Sequence, residues 1–295
     1  MSATQEILTA LHRSNGEFVR LDLPAREQAE LQALGYGIET HPHLGYRLVA
    51  VPDRLMAEDL QARLQTQVIG REIVVFEETT STNDVIERMR QSREGLVVFA
   101  ESQTKGRGRH GRAWTSARGK GLWFSVLLRP KFPLPRLTIA ASVAVARVAG
   151  TAARIKWPND VTLGDRKLAG ILTENREGVA ILGIGMNVNC QAADFPSELR
   201  EIATALNVAD RPGLAAQLLM ELDRVYAQAL DEFPVLSAEW ARRCTTLGKQ
   251  ITVQMGDRRV EGHAQALDED GALLLRRDSG QSERVWGADL ILERA

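Results

Sequence analysis

The stretch Thr104–Arg112, TKGRGRHGR, is the most distinctive segment of the chain. It lies in a longer run, between Glu101 and Asp160, that contains no acidic residue and twelve lysines or arginines. The whole protein is nearly neutral, with 37 basic and 38 acidic residues, so this positive charge is a local feature. Three glycines free the backbone, and three arginines offer planar pairs of N–H donors. The stretch therefore predicts a site for an anionic ligand that carries phosphate or carboxylate groups.

This stretch belongs to a loop of about eighteen residues, 101–118, between two apolar runs. Loops longer than ~12–15 residues usually have a function, and we expect this one to be mobile when empty and ordered by an anion. Gly106, Gly108 and Gly111 match the pattern G-x-G-x-x-G, but the residues that follow are a poor start for the helix that a dinucleotide site requires. An RNA-binding loop of RGG type, with Trp114 stacked on a base, remains a rival interpretation.

The length and composition of the chain limit the number of domains and the type of protein to expect. A chain of 295 residues predicts about two domains with room for a small third. Its apolar share of 44% is ordinary for a globular protein, and no apolar run reaches the ~18 residues that span a bilayer. The first residues lack an export signal, and two cysteines are too few for a disulfide framework or a metal site. We expect a cytoplasmic protein with no membrane partner.

Residues 1–50 are predicted to form a small helical unit closed by a hairpin. A short helix around Leu8, a second helix over Pro24–Leu34 and two strands within Tyr36–Val49 suggest a winged-helix DNA-binding module. However, Val19–Leu23 leaves no room for the helix and turn that such a module also needs. The unit carries four arginines, no lysine and six acidic residues, whereas DNA binding requires a basic surface. We interpret residues 1–50 as a truncated winged-helix-like unit and consider DNA binding unlikely to be its role.

The remaining chain is predicted to have α+β character in two further domains, 51–247 and 248–295. Expected strands cover 73–76, 96–100, 122–128, 161–163, 168–172 and 179–185. Expected helices cover 53–64, 139–153 and 214–233. Because strands are joined both by hairpins and by helices, residues 51–247 should form a mixed sheet. From Gly248 onward, five short alternating strands separated by turns predict a small barrel.

Five short motifs follow one another along the chain. They are Ser81-Thr82-Asn83, the Gly106–Arg112 loop followed by Trp114, Lys156–Asp160, Arg166–Leu172 and Gly183–Asn189. One such motif is weak evidence, but five in this order strongly resemble the family of biotin protein ligases. The resemblance covers the middle of the chain and extends into the final domain, where the family carries an SH3-like barrel. It implies that residues 51–247 are similar to the class II aminoacyl-tRNA synthetase core.

The resemblance implies a two-step reaction. The carboxylate of biotin attacks the α-phosphate of ATP, which gives biotinyl-5′-AMP and pyrophosphate, and Mg²⁺ would enter with the ATP. A lysine of a biotin carboxyl carrier protein then takes the biotinyl group and releases AMP. Negative charge builds on phosphoryl oxygens in the first step, and basic side chains in a closing loop can neutralise it and exclude water.

The resemblance also assigns site residues. For biotin they are Ser81, Thr82, Asn83, Gln103, Arg107, Gly108, Arg109 and Lys167. For the nucleotide they are Arg109, Lys167 and Asn187. The catalytic residues are Arg107, Arg109 and Lys167. Two assignments have simpler alternatives, because Ser81 with Asp84 resembles a helix capping box and Asn187 resembles a turn residue after a strand.

The chain departs from the family at its amino terminus. Bifunctional members carry a complete winged helix and repress biotin-synthesis genes as dimers, so we predict a ligase without repressor activity. Lipoyl or octanoyl ligases share the fold and the two-step logic, but lipoate lacks the ureido ring that Ser81, Thr82 and Asn83 would recognise. A nucleic-acid-binding protein that uses the Gly/Arg loop is the alternative from another class, and it would bind without ATP. The resemblance also allows a homodimer paired at a sheet edge.

Overall fold

The fold is described by a computed structural model that covers residues 3–294. The elements of the first unit are α1 (Ala3–Arg13), α2 (Ala25–Ala33), β1 (Gly37–His41) and β2 (Gly45–Ala50). The two strands pair antiparallel, so the predicted pair of helices and the hairpin are confirmed. In α1, the buried Ile7, Leu8 and Leu11 lie on one face of the helix. The segment between α1 and α2 contains no helix, as the short spacing predicts.

This unit is joined to the next domain through α3 (Ala57–Arg63), whose Asp59 is buried. His12 Nε2 lies 2.7 Å from Asp59 Oδ1, and the Tyr36 hydroxyl donates to the same oxygen at 2.9 Å. Arg63 Nε donates to the other oxygen at 2.8 Å. Burial acts to raise the pKa of Asp59, but the bond to His12 and the charge of Arg63 bring that pKa below its ordinary value. The carboxylate is therefore kept charged between the unit and α3.

A seven-stranded mixed sheet forms the centre of the molecule. Its strands are β3 (Glu72–Phe76), β4 (Leu96–Ala100), β5 (Gly121–Leu128), β6 (Ala153–Lys156), β7 (Asp160–Leu163), β8 (Arg166–Arg176) and β9 (Val179–Asn187). Their order across the sheet is β3-β4-β5-β9-β8-β7-β6. Strands β3 and β4 are parallel, and the other neighbours are antiparallel. The predicted α+β class and mixed sheet are confirmed.

The helices around this sheet are α4 (Thr82–Arg88), α5 (Leu134–Val148), α6 (Arg211–Asp231) and α7 (Phe233–Arg243). The helix predicted over 139–153 is wrong at both ends. It begins after Pro133, which favours a helix start, and stops before Gly150, whose φ of 98° interrupts the helix. Ala153 instead begins β6. The helix expected over 53–64 is shorter in the structure, where it covers only α3. Helix α7 was not predicted, because Phe233, its first residue, continues the apolar pattern of α6 and hides the break between the two helices.

The last domain is a five-stranded antiparallel sheet. It consists of β10 (Gln250–Met255), β11 (Arg258–Leu267), β12 (Leu273–Arg276), β13 (Ser282–Val285) and β14 (Asp289–Arg294), in the order β13-β12-β11-β10-β14. Alternating residues such as Ile251 and Val253 are buried, as expected for strands that cover a small core. This agrees with the predicted SH3-like barrel. Across residues 3–294, none of the helices is long and apolar enough to cross a membrane. The domain boundaries after residues 50 and 247 stay predictions.

Candidate functional site

A cavity of about 420 Å³ lies between the Gly/Arg loop and strands β8 and β9. All nine site residues predicted from the sequence line it. They are Ser81, Thr82, Asn83, Gln103, Arg107, Gly108, Arg109, Lys167 and Asn187. The fold therefore brings together segments that are separated by more than 100 residues of chain.

One end of the cavity is built from neutral polar groups that bond to one another. The backbone N–H of Thr82 donates to Gln103 Oε1 at 2.8 Å, and Gln103 Nε2 donates to Ser116 Oγ at 2.9 Å. Ser125 Oγ, on β5, lies 2.7 Å from Thr82 Oγ1 and 2.5 Å from Asn83 Oδ1. Thr82 and Asn83 are both buried. We call the cavity-lining members of this group, Thr82, Asn83 and Gln103, together with Ser81, the neutral end of the cavity.

Ser81 is the N-cap residue of α4, but its side chain makes no capping hydrogen bond. Asp84, the other half of the suspected capping box, forms an ion pair with Arg107 instead. The capping-box interpretation of Ser81 is therefore wrong. The Ser81 side chain is buried and lines the cavity.

A second part of the cavity contains basic side chains paired with carboxylates, and it adjoins the neutral end because Asn83 Nδ2 donates to Glu174 Oε2 at 2.6 Å. Arg107 Nη1 lies 2.5 Å from Asp84 Oδ1, and its Nη2 lies 3.6 Å from Glu174 Oε2. Lys167 Nζ lies 2.7 Å from Asp160 Oδ1. Burial acts to lower the pKa of Arg107, but the hydrogen bond and charge of Asp84, with Glu174 nearby, raise that pKa above its ordinary value. We call the basic residues of the lining, Arg107, Arg109 and Lys167, with the carboxylates paired to them, the charged end.

The Gly/Arg loop is folded back on itself and tied to the last domain. Gly108 N–H donates to Arg112 O at 2.7 Å, and Trp114 N–H donates to Gly106 O at 2.9 Å. Arg109 Nη2 donates to the carbonyls of Gly287 and, at 3.0 Å, Ala288. The only helical turn in the loop is a three-residue 3₁₀ segment, so its glycines do not open an α-helix of the dinucleotide-binding kind. Mobility of the empty loop stays a prediction.

Glycines in β8 and β9 make room for side chains that cross the sheet. A Cβ atom on Gly185 would lie 2.4 Å from the Trp114 ring, and one on Gly170, its partner across the strands, would lie 3.0 Å from it. A Cβ atom on Gly183 would lie 2.4 Å from Asn83 Oδ1. The tryptophan ring and the asparagine amide can lie against the strands because these positions have no side chain. The glycine-rich motif Gly183–Asn189 in the sequence indicated this open surface of the sheet.

The base of the loop is held by a buried ion pair that the sequence did not reveal. Glu101 is 4% exposed and Arg211, at the start of α6, is 0% exposed. Arg211 Nη1 lies 2.9 Å from Glu101 Oε2, and the backbone N–H of Leu55 donates to Glu101 Oε1 at 2.8 Å. The Glu101 carbonyl also accepts from Gly119 N–H at 3.0 Å, which closes the loop. No local pattern marks Arg211, since its partner is 110 residues away.

Asn187 is the last residue of β9, pairs with Gly121 of β5 and is buried. It is thus a strand residue rather than the turn residue of the simpler interpretation. Nearby Cys190 is a free cysteine, and burial raises the pKa of its thiol to about 11. Within the described part of the chain, no cluster of three or more His, Cys, Asp or Glu residues could hold a metal ion.

Comparisons with known proteins agree on one family. Residues 75–190 match the Biotin/lipoate A/B protein ligase family, and residues 246–292 match the Biotin protein ligase C terminal domain. The chain is 36% identical over 248 residues to a biotin–[acetyl-CoA-carboxylase] ligase of Mycobacterium tuberculosis, covering 76% of this chain and 92% of that protein. It is 35% identical over 283 residues to the bifunctional ligase/repressor BirA of Bacillus subtilis, covering 89% and 87%.

A solved structure has the same arrangement. The biotin protein ligase from Aquifex aeolicus in complex with biotin and ATP superposes with a TM-score of 0.68 at 27% identity. The match covers 75% of this chain and 99% of that chain.

Proposed function

The chain belongs to the biotin protein ligase family, and we propose that the two ends of its cavity divide the family's reaction between them. The protein is an ATP-dependent ligase that activates biotin as biotinyl-5′-AMP and transfers the biotinyl group to a lysine. The acceptor class for this family is the biotin carboxyl carrier protein. The observation that supports the division is that the cavity is built from both neutral, mutually bonded groups and paired charges. The two sets adjoin where Asn83 Nδ2 donates to Glu174 Oε2.

The neutral end would bind the ureido ring of biotin. That ring has two N–H donors and one carbonyl acceptor, so it needs hydrogen-bonding groups of both kinds. Ser81, Thr82, Asn83 and Gln103 provide hydroxyl and amide groups there. Lipoate has no such ring, and a lipoyl group at this end would leave these buried polar groups without partners.

The charged end would neutralise the reacting anions. Arg107, Arg109 and Lys167 are the candidates for contact with the biotin carboxylate and the α-phosphate, and Gly108 allows close approach of the backbone. Arg107 and Lys167 are already oriented by carboxylates, so a bound anion would replace or join Asp84 and Asp160 as partner. Asn187 is the candidate for contact with the adenosine, and Mg²⁺ would arrive with ATP.

The Gly/Arg loop would shield the mixed anhydride from water. Arg109 connects the loop to carbonyls at residues 287 and 288, so the loop and the last domain together cover one side of the cavity. Exclusion of water matters because an exposed acyl-adenylate hydrolyses before the acceptor lysine arrives. This supports a role for the loop in retention of the intermediate.

The protein would act without repressing transcription. Residues 3–50 contain two helices and a hairpin, and nothing helical lies between α1 and α2 to serve as the second helix of a DNA-binding pair. A gel-shift assay with the DNA upstream of its own gene tests this. Retarded DNA that depends on biotinyl-5′-AMP would contradict it. A homodimer and a cytoplasmic location are further parts of the proposal, to be checked by light scattering and by cell fractionation.

ATP–pyrophosphate exchange on purified protein, with biotin and lipoate tested side by side, is the experiment for the site. Exchange that depends on biotin alone supports the assigned neutral end. Exchange that depends on lipoate alone would keep the fold and overturn that assignment. Absence of exchange with both, from folded protein, would favour the nucleic-acid hypothesis, which a salt titration of RNA binding would then test.

A further inference from the structure

Ser125 is a fully buried hydroxyl in the middle of an apolar strand. All eight residues of β5 are buried, and Ser125 is 0% exposed. A hydroxyl in such a place costs free energy unless it is hydrogen bonded. Its two partners, Thr82 and Asn83, are both residues of the neutral end. Ser125 itself does not line the cavity but lies directly behind the residues that do.

The contacts of Ser125 fix the direction of the hydrogen bonds. Asn83 Nδ2 lies 2.6 Å from Glu174 Oε2, and since a carboxylate only accepts, this sets which end of the amide is the nitrogen. Asn83 Oδ1 therefore faces Ser125 and can only accept. The single hydrogen of Ser125 must go to Asn83, at 2.5 Å. The hydrogen of the Thr82 hydroxyl then has two acceptors within reach, Ser125 Oγ at 2.7 Å and Gln103 Oε1 at 3.2 Å, and the shorter contact assigns it to Ser125.

This chain of bonds determines what the cavity offers a ligand. Once Thr82 has donated its hydrogen to Ser125, its hydroxyl oxygen can only accept. Asn83 keeps one N–H that Glu174 does not use, and Gln103 keeps one that Ser116 does not use. The neutral end therefore combines an acceptor with two donors. The carbonyl of a cyclic urea, which accepts two hydrogen bonds, and one of its N–H groups match this set.

We propose that Ser125 is a positioning residue that selects a cyclic urea over an apolar ring by orienting Thr82 and Asn83. The inference rests on the proposed function, because it assumes that the ureido ring of biotin binds at the neutral end. Ser125 acts only through its neighbours. Its loss should weaken binding of the ring in ground state and transition state alike, which raises KM and leaves kcat unchanged.

The test compares Ser125→Ala with Ser125→Cys and with the control Ser142→Ala. Ser142 is equally buried, at 1% exposure, and its hydroxyl donates to Ile139 O at 2.8 Å within α5, away from the cavity. Titration calorimetry gives the Kd of biotin without ATP, exchange kinetics give KM and kcat, and thermal melting gives Tm. In Ser125→Ala the Kd and KM for biotin should rise about tenfold, a typical cost for a lost buried hydrogen bond.

The controls separate positioning from general stability. KM for ATP and kcat should stay within about twofold in every variant. Ser125→Cys, a weaker donor of similar shape, should fall between Ser125→Ala and wild type. Ser142→Ala should lower Tm without changing the Kd of biotin. Unchanged biotin affinity in Ser125→Ala, while the wild type binds biotin normally, would overturn the inference and leave the proposed function standing. A wild-type protein that does not bind biotin would overturn both.

Discussion

The two ends of the cavity use polar groups in opposite ways. At the neutral end, Thr82, Asn83 and Gln103 are buried or partly buried and are held by short bonds to the protein. At the charged end, Arg107 and Lys167 are about one-third exposed and are paired with carboxylates. The neutral groups keep spare hydrogen-bonding capacity in a fixed direction, whereas the charged groups can exchange one anion for another. In the proposed function, recognition of the ring and response to developing charge therefore take place in different environments.

Among the variants that test this division of roles, Lys167→Ala should have the largest effect. If Lys167 stabilises charge on the phosphoryl oxygens, kcat of biotin-dependent pyrophosphate exchange should fall by about 100- to 1000-fold, the usual cost of losing one such donor. The Kd of biotin should change far less. Lys131→Ala, an exposed lysine outside the cavity, is the matched control and should be neutral. A normal exchange rate in Lys167→Ala would contradict its assignment as catalytic.

Arg107→Ala tests the loop at the same end. Loss of a charge-assisted bond should weaken retention of biotinyl-5′-AMP by about 10- to 150-fold. Release of labelled adenylate from the enzyme, followed by rapid filtration, measures this effect. Arg93→Ala, an exposed arginine away from the cavity, serves as control. Unchanged retention with normal folding would count against the proposed loop role.

Thr82→Val tests the neutral end with a change of almost no volume. The variant removes a hydroxyl that contacts Ser125, so biotin should bind about tenfold more weakly, with kcat nearly unchanged. Thr162→Val, a buried threonine on β7 outside the cavity, controls for loss of a buried hydroxyl. A large fall in kcat without a change in KM would show that the two ends are not separate in function.

The salt dependence of ligand binding should show the smallest difference between the two ends of the cavity. Raising the salt concentration screens exposed charges, so binding of ATP should weaken by a few-fold between roughly 0.1 and 1 M. Biotin amide, which keeps the ureido ring but has no carboxylate, should bind almost independently of salt. Parallel titrations of the two ligands measure the difference. If binding of ATP and binding of biotin amide depended equally on salt, charged groups would have to contribute to binding of the ring.

The local parts of this site can be predicted well from the sequence. Ser81, Thr82 and Asn83 are adjacent in the chain, and the glycines of β9 form a continuous motif, so the amino-acid order alone is enough to locate both. Ser125 cannot be located in this way, because a serine among apolar residues has the same local pattern whether or not it contacts a distant helix. Its partners lie 42 and 43 residues away.

The same limit applies to the ends of helices and to buried charges. Residues 140–153 are rich in alanine and valine, so composition alone does not show where α5 ends and β6 begins. Arg211 looks like an ordinary first-turn arginine of α6, yet the fold buries it against Glu101. Ion pairs of this kind depend on how distant segments pack, and periodicity does not encode them.

The carboxylate of Asp59 connects the amino-terminal unit to α3. Two of its three partners, His12 and Tyr36, come from residues 1–50, and only Arg63 belongs to α3. Deletion of that unit would remove both partners and expose Asp59 to water, together with Ala62 of α3, which packs in the same core cluster as Leu8 and Leu11. We therefore expect the amino-terminal unit to serve as part of the enzyme's scaffold, because its removal would expose the buried surface of α3 on which it rests.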